Sequence, residues 1–164
     1  MSDQPTTSKF RVVKERVDAV LTLSNGQTPR GCFFVAGGSP WRAGRELVSE
    51  LLNTGAGFFP FEVEDTRGPR TLLFNRNHVV MVALGENEAA RDPGYSVATE
   101  RTVSLLLSNG HRVTGGVRVY QPEGHHRLSD WARAAESFRY VETPEATFIV
   151  NVTHIVEVSE VTEP

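Results

Sequence analysis

The sequence predicts a mainly β protein of the α+β class, built as two tandem five-stranded small β-barrels with one short helix between strands two and three of each. An internal repeat is the first reason, because the segment 19–26 (AVLTLSNG) returns as 103–110 (VSLLLSNG). Alternating apolar and polar residues are the second, since a period of two indicates half-buried strands. The third is a glycine inside the second strand of each half, Gly31 and Gly115, where glycine marks a bulge or a sharp bend such as a small barrel requires.

The repeat divides the chain into two matching halves. The offset between matching residues falls in steps of four: 84 for Asn25 and Asn109, 80 for Ser49 and Ser129, and 76 for Asn75 and Asn151. Self-similarity at a regular spacing is the signature of a duplicated unit. A unit of about 60 to 70 residues buries little of its own surface, so we expect the halves to touch. The predicted organisation is a disordered N-terminus (1–10), a first barrel (11–82), a linker (83–100), a second barrel (101–158) and a tail (159–164).

Each half is predicted to begin with a hairpin and to continue into a short helix. In the first half, residues 17–24 form a strand, Asn25-Gly26 predicts a tight type I′ turn with two positive φ angles, and 30–35 return beside the first strand. The helix begins at Ser49, whose hydroxyl suits an N-cap, and ends near Gly55.

Three further strands complete each half. In the first half they are 58–63, 70–75 and 78–82. The second half repeats the whole pattern, with a helix at 131–136 after Ser129 and strands at 138–142, 146–151 and 154–158. Each half therefore has five strands and one helix.

Charge argues against a polyanionic partner. The formal net charge is −3, and each predicted barrel is close to neutral because its arginines and acidic residues balance. Proteins that bind nucleic acid usually carry a strong basic excess, since phosphate neutralisation supplies most of their affinity. Nucleic-acid binding is therefore possible but not favoured.

Cysteine content and the N-terminal composition indicate a cytoplasmic protein. Cys32 is the only cysteine, and its place on an apolar strand predicts a buried, inert thiol. Residues 1–10 show neither the charged nor the apolar region of a secretion signal, and no apolar run reaches the length of a membrane span. We expect no membrane association.

Two segments carry a resemblance to a known family. Residues 105–115, LLLSNGHRVTG, resemble the first signature of Sm-like small barrels, and residues 149–158, IVNVTHIVEV, are similar to the second signature. SH3-like barrels use related strand patterns, so the resemblance implies an Sm-like or SH3-like small barrel in tandem, similar to uncharacterised bacterial domains. An Sm-like relationship implies RNA binding as an alternative function.

Two departures limit what that resemblance implies. Sm-type RNA binders carry aspartate and asparagine between strands two and three and an arginine-glycine pair before strand five. Here a linker and a helix replace the first loop, and the turns read 75–77 (NRN) and 151–153 (NVT). An Sm fold also places its helix ahead of strand one. Neither the uridine pocket nor ring assembly is therefore carried over to this chain.

The repeated Asn-x-x-His is the first candidate binding signal. Asn75 with His78 and Asn151 with His154 could form two binding sites related by a pseudo-twofold axis. The structural interpretation is favoured, because Asn suits tight turns and a histidine at the start of a strand can hydrogen-bond locally.

Aromatic residues and arginines give the second candidate surface. Trp41, Arg42 and Arg45 lie together in a loop, and tryptophan and arginine are enriched at interface hot spots. The first half also has more phenylalanines than one strand face can hide. These groups either fill the contact between the halves, which is favoured, or form a docking patch.

Neither metal nor cofactor chemistry is indicated. His111, His125, His126 and His154 match no zinc spacing, and neither a phosphate loop nor a nucleophile elbow is present. We therefore expect no metal, no cofactor and no catalysis. The favoured function is a non-catalytic binding or regulatory adaptor that contacts another protein through strand edges or the helix-bearing loops; an enzyme is the third hypothesis. Oligomeric state is left open.

Overall fold

In a computed structural model, the chain forms ten β-strands and two short α-helices over the described residues, which are 13–40, 42–119, 128–134 and 136–162. The first half contains β1 (Lys14–Leu23), β2 (Arg30–Ala36), α1 (Val48–Thr54), β3 (Phe58–Val63), β4 (Arg70–Asn75) and β5 (Val79–Leu84). The second half contains β6 (Thr99–Leu107), β7 (Arg112–Val119), α2 (Leu128–Arg133), β8 (Phe138–Glu142), β9 (Thr147–Asn151) and β10 (Ile155–Glu160). Short 3₁₀ helices lie at Arg76–His78, Glu88–Arg91, Tyr95–Val97 and Val152–His154. The expected mainly β, α+β class is confirmed.

All ten strands belong to one antiparallel sheet in the order β10-β6-β7-β8-β9-β5-β1-β2-β3-β4. Each half has the same internal order: its fifth, first, second, third and fourth strand. The halves meet where β5 pairs with β9, and we call this contact, residues 81–84 against 147–150, the seam. Within the described sheet, the outward sides of β10 and β4 pair with no other strand, and we call them the terminal edges.

The strand pairing corrects two expectations about how the halves are arranged. The sequence predicts two closed or nearly closed barrels, whereas the described strands form one continuous sheet that does not close. The pseudo-twofold relation is also wrong, because a twofold axis would bring like edges together. The seam instead joins the fifth strand of one half to the fourth strand of the other, so the halves are related head to tail. Val82 and Ile149 pair directly across it, and both are fully buried, which explains why these two edges meet.

Each of the two hydrophobic cores takes side chains from the other half. The first core surrounds Phe33 and contains Phe138 and Ile149 of the second half. The second core contains Trp131 together with Val80 of the first half. Burial of an apolar side chain of this size is worth about 1.5–3 kcal/mol, so the exchanged residues stabilise both halves together.

The first hairpin of each half turns through Asn-Gly, but not as the predicted type I′ turn. Type I′ needs positive φ at two residues, whereas among the described residues only glycines have it, with φ of +91° at Gly26 and +88° at Gly110. The carbonyl oxygen of Leu23 accepts a hydrogen bond from the Gly26 N–H at 3.0 Å. The geometry is that of a type I turn followed by a left-handed glycine, a common hairpin connection.

The strand glycines lie where a neighbouring backbone approaches closely. A Cβ atom at Gly31 would lie 1.8 Å from the carbonyl oxygen of Glu62, and one at Gly115 would lie 2.6 Å from that of Glu142. Because no side chain fits under the third strand at these positions, both halves require glycine there.

The helices begin earlier than the sequence predicts. Leu47, not Ser49, is the N-cap of α1, and the Glu50 carboxylate accepts a hydrogen bond from the Leu47 N–H at 2.7 Å. The Ser49 hydroxyl points instead at the second half, where it donates to the Tyr140 hydroxyl at 2.7 Å. In the second half, α2 begins at Leu128 rather than near Trp131. Neither described helix is long and apolar enough to cross a membrane.

Candidate binding surfaces

A buried carboxylate links the two halves through the segment that connects them. Glu88 has no exposed surface. One of its oxygens accepts hydrogen bonds from the Val48 N–H at 2.8 Å and from the Tyr140 hydroxyl at 2.7 Å. Its other oxygen lies 2.9 Å from the Arg45 guanidinium. Glu88 therefore ties the connecting segment to α1 of the first half and to β8 of the second.

The charges of this network stabilise one another. Burial opposes the positive charge of Arg45, but Glu88 and Glu86 outweigh it and raise the pKa of the guanidinium. Burial, reinforced by the negative charge of Glu88, raises the pKa of Tyr140, so its hydroxyl stays protonated and can donate to Glu88. The buried charges are thus paired, as the low polarity of their surroundings requires.

The loop that the sequence analysis assigned either to the contact between the halves, which it favoured, or to a docking patch contributes to this buried network. Arg45 is buried in ion pairs with Glu86 and Glu88, and the nearly buried side chain of Arg42 pairs with Glu50 at 2.9 Å. Trp41 lies outside the described residues. Arg45 thus pairs with the connecting segment, whereas Arg42 holds the start of α1.

A second polar cluster holds the connecting segment against the second half. The Arg118 guanidinium stacks on the Tyr95 ring, 3.8 Å from its centroid, and pairs with Glu142 at 3.2 Å and with Glu100 at 2.8 Å. The Tyr95 hydroxyl and the Asn87 amide also donate to Glu142. Glu142 therefore organises the packing of the connecting segment on β7 and β8.

The two Asn-x-x-His turns share the same local hydrogen bonds. The Asn75 side-chain oxygen accepts from the Asn77 N–H at 2.9 Å, and that of Asn151 accepts from the Thr153 N–H at 3.1 Å. In each half the histidine Nδ1 contacts a serine hydroxyl of the first hairpin: His78 with Ser24 at 2.8 Å, and His154 with Ser108 at 2.7 Å. These contacts fix the turn between the fourth and fifth strands.

The two turns differ in the hydrogen-bond partners of Asn Nδ2 and His Nε2. In the second half, Asn151 Nδ2 donates to the carbonyl oxygen of Val79 at 2.9 Å, and His154 Nε2 lies 2.7 Å from the carbonyl oxygen of Asn77. Because a carbonyl can only accept, His154 carries a proton on Nε2. Both bonds cross from one half to the other. In the first half, Asn75 Nδ2 and His78 Nε2 have no hydrogen-bond partner among the described residues.

Two cavities lie where the halves meet. One of about 440 Å³ is lined by both halves, including Asn53, Arg76 and Asn151. The Arg76 guanidinium is engaged there by the carbonyl oxygens of Leu51 at 3.0 Å and Phe58 at 2.9 Å, and burial lowers the pKa of this arginine. The N–H groups of Arg76 therefore stabilise the end of α1 and are not donors to the cavity.

The second cavity, of about 260 Å³, is lined by Asn53, Trp131, Arg139 and Tyr140 among others. The Asn53 side chain forms two hydrogen bonds with the backbone of Phe138, at 2.8 and 2.9 Å. Arg139 stacks on the Trp131 ring, 4.9 Å from its centroid, and donates to carbonyl oxygens around α2. Asn53 therefore joins the two halves at this cavity, whereas Arg139 holds α2 within the second half.

Large apolar side chains are exposed on the terminal edges and on the strand β3 beside one of them. Phe58 at the start of β3 is 61% exposed, Leu73 on β4 is 66% exposed, and Val156 on β10 is 67% exposed. Phe58 and Leu73 lie on the two outermost strands at one end of the sheet, and Val156 lies at the other end. The sequence analysis missed Leu73 and Val156, and it included Phe58 only among the surplus phenylalanines of the first half. The one signal that could have found Phe58 is the surplus of phenylalanines, since Phe59 and Phe61 fill the core of the first half.

Cys32 and the described histidines form no metal-binding group. Cys32 is buried, as predicted, and burial raises the pKa of its thiol. Among the described side chains, no group of three or more His, Cys, Asp and Glu is placed to hold a metal ion. His125 and His126 lie outside the described residues.

Comparison with known proteins adds no relative. No protein-family model matches the chain, and neither do any curated protein or solved structure.

Proposed function

We propose that this protein is a non-catalytic cytoplasmic module that binds another protein through the terminal edges of its sheet. The observation that carries the proposal is the outer strand β4, which among the described strands pairs only with β3 and carries Leu73 largely exposed, next to exposed Phe58. An edge strand offers a row of backbone donors and acceptors, and a partner strand can add to it while its side chains cover the apolar groups.

The polar groups inside the molecule support a non-catalytic role. Both oxygens of Glu88 are occupied by donors from Arg45, Val48 and Tyr140. Tyr140 itself donates to Glu88 and accepts from Ser49. The most buried ionisable groups at the contact between the halves are thus used to hold the halves together.

The matching strand order supports the interpretation of the halves as tandem copies of one five-stranded unit related to Sm-like or SH3-like small barrels, joined here into a single open sheet. Each half places its strands in the order fifth, first, second, third, fourth, and each has a glycine under its third strand. The Asn-x-x-His turn recurs with the same local hydrogen bonds. In this proposal, duplication supplied a chain whose outer edges remain available for a partner.

Photocrosslinking at the edge tests the function. p-Benzoylphenylalanine is placed at Thr71, which is exposed on β4, and in a matched variant at Thr114, which is exposed on the inner strand β7. After irradiation in the native cells, we expect protein adducts from Thr71 in clear excess over those from Thr114. Equal labelling at both positions, or no adduct at Thr71, would overturn the proposal. Adducts with RNA alone would support the Sm-like alternative instead.

A further inference from the structure

We propose that Ser108, in the turn between β6 and β7, is a site of covalent acylation by acyl thioesters, with His154 as the base that takes its proton. The inference goes beyond the proposed function, because it adds a modification to the module and needs neither the terminal edges nor turnover. It is carried by three groups that are hydrogen-bonded in a row: the Ser108 hydroxyl, the His154 imidazole and the carbonyl oxygen of Asn77.

The His154 ring is held in the tautomer that a base for Ser108 requires. Its Nε2 lies 2.7 Å from the carbonyl oxygen of Asn77, which can only accept, so Nε2 carries a proton. In a neutral imidazole the other nitrogen, Nδ1, is then an acceptor, and the Ser108 hydroxyl lies 2.7 Å from it. The serine therefore donates its proton toward His154.

These contacts match the pattern of an activated nucleophile. In that pattern, nucleophile and base lie within about 2.6–3.2 Å of each other and a third group orients the base. The Asn77 carbonyl holds the place here that a carboxylate holds in a Ser-His-Asp triad. Because Asn77 belongs to the first half, the arrangement is complete only where the two halves meet.

The backbone of the turn fixes the serine relative to the histidine. The Ser108 N–H donates to the carbonyl oxygen of His154 at 2.7 Å, and the N–H groups of Gly110 and His111 are bonded within the turn at 2.9 and 3.0 Å. The Asn109 N–H, on the residue directly after the serine, has no hydrogen-bond partner in the described part of the chain. It is the donor left in this turn for the oxyanion that forms when a carbonyl group is attacked.

The exposure of the site determines the class of acyl donor. Ser108 is exposed and lines neither of the two cavities described above. A site open to water stabilises the charge of a tetrahedral intermediate weakly, because the high dielectric constant of water screens it. Such a site requires a leaving group that departs readily. A thiolate does so, since thiols are far more acidic than amines or ordinary alcohols.

The proposed step conserves atoms and charge. Ser108 Oγ bonds to the carbonyl carbon of the thioester while the hydroxyl proton passes to His154 Nδ1. The carbon–sulfur bond then breaks, and the thiolate takes the proton from His154 and leaves as a thiol. The products are an ester on Ser108, a free thiol and neutral His154. The Asn77 carbonyl stabilises the imidazolium formed between these two proton transfers.

The first half contains a matched control for this site. Ser24 and His78 form the same contact at 2.8 Å, and Asn25 follows Ser24 as Asn109 follows Ser108. His78 Nε2, however, has no hydrogen-bond partner among the residues that the structure describes. The two serines therefore differ in the group that orients the base.

Acetylation of the full-length wild-type protein tests the proposal. The probe is S-acetyl-N-acetylcysteamine, a simple acyl thioester, and tryptic peptide mapping by mass spectrometry follows each acetyl group with time. Ser108 lies in the peptide 102–112 and Ser24 in the peptide 17–30, and fragment ions separate Ser108 from the buried Ser104. Lysine acetylation is recognised separately, because Lys9 and Lys14 are the only lysines and lie outside both peptides.

We expect acetylation at Ser108 to be at least about tenfold faster than at Ser24. A positioned general base is worth about 10²–10⁴-fold, and His78 supplies part of that effect to Ser24. Equal rates at the two serines, or no acetyl group on Ser108, would overturn the proposal. Both serines belong to one folded molecule, so this comparison does not depend on the folding of a variant.

Substitution of the histidines tests the role of the base. His154→Gln keeps an N–H donor for the Asn77 carbonyl but cannot take the serine proton, so we expect acetylation at Ser108 to slow at least about tenfold. His78→Gln is the matched control and should leave the rate at Ser108 unchanged. The rates are compared at a temperature where circular dichroism shows both variants folded. Undiminished acetylation of Ser108 in His154→Gln would remove His154 as the base.

The tautomer of His154 provides an independent check without any variant. Long-range ¹H–¹⁵N correlation spectra of the wild-type protein distinguish a ring protonated on Nε2 from one protonated on Nδ1. We expect neutral His154 to be protonated on Nε2 alone, because the Asn77 carbonyl accepts that proton. A proton on Nδ1 of neutral His154 would contradict the proposal, since that nitrogen could not then accept from Ser108.

Discussion

Replacing Glu88 by glutamine is expected to destabilise the protein, because this carboxylate is fully buried and joins the two halves. Its oxygens lie 2.9 Å from the Arg45 guanidinium, 2.8 Å from the Val48 nitrogen and 2.7 Å from the Tyr140 hydroxyl. Glutamine keeps one acceptor oxygen but turns an amide N–H₂ toward a donor. Loss of one partner of a buried ion pair costs about 3–5 kcal/mol.

The lower end of that range applies here, because Arg45 retains an ion pair with Glu86. For a chain of this size, about 3 kcal/mol corresponds to a fall of roughly 6–12 °C in Tm. Urea unfolding at neutral pH, followed by circular dichroism, measures the free energy of unfolding. Glu86→Gln is the matched control: its side chain is half exposed, so we expect a loss of at most about 1 kcal/mol.

A double-mutant cycle shows whether the ion pair itself is responsible. In Arg45→Met with Glu88→Gln, the unpaired cation is also removed, so the two losses should sum to more than the loss in the double variant. The reasoning about a buried charge that joins the halves is refuted by either of two results. One is a free energy of unfolding of Glu88→Gln within about 1 kcal/mol of the wild-type value, and the other is additivity of the two losses.

Three further predictions concern the strand glycine, the seam and the acid response. Gly31→Ala should destabilise by about 1–3 kcal/mol or prevent folding, because its Cβ would lie 1.8 Å from the carbonyl oxygen of Glu62. Gly85→Ala, with open space around it, should be tolerated, and thermal melts compare the two variants. Asn151→Ala should cost about 1–3 kcal/mol by urea unfolding, since it removes the bond to Val79 across the seam, and Asn75→Ala should cost the monomer less; equal losses would contradict that account. Burial raises the pKa of Glu86, but Arg45 and Arg91 outweigh it, so the folded-state pKa lies below the ordinary value of 4.5. The contribution of Glu86 to the free energy of unfolding is therefore complete above pH 4.5 and is lost as the pH falls through the folded-state pKa. In Glu86→Gln the free energy of unfolding should fall less steeply over this acid range, and an unchanged slope would contradict the prediction.

The strands were predictable because their signals are local. The alternation in residues 17–24 and 103–107, the Asn-Gly turns and the strand glycines each depend on neighbours a few residues away. The turn type was not predictable in the same way. Asn-Gly is compatible with a type I′ turn and with a type I turn followed by glycine, and the pairing of the flanking strands selects between them.

The roles of the candidate site residues depended on the tertiary fold. The composition around Arg42 and Arg45 fits a docking patch as well as a buried network, and only the position of Glu88, more than forty residues later, distinguishes the two. The Asn-x-x-His motif is equally ambiguous from sequence. Its turn contacts are local, but whether Asn Nδ2 and His Nε2 bind the other half depends on the tertiary fold, and only those of Asn151 and His154 do so.

The sequence alone determined that this chain contains two similar five-stranded halves of the α+β class, because repeat spacing and strand periodicity are properties of the linear chain. Only the tertiary structure decided that the halves join head to tail in one open sheet. The physical reason is that an alternating strand shows the same pattern whichever edge it pairs with, so the choice of partner depends on which buried surfaces fit together. That choice buries Ile149 and Val80 at the seam and leaves Leu73 and Val156 exposed at the terminal edges.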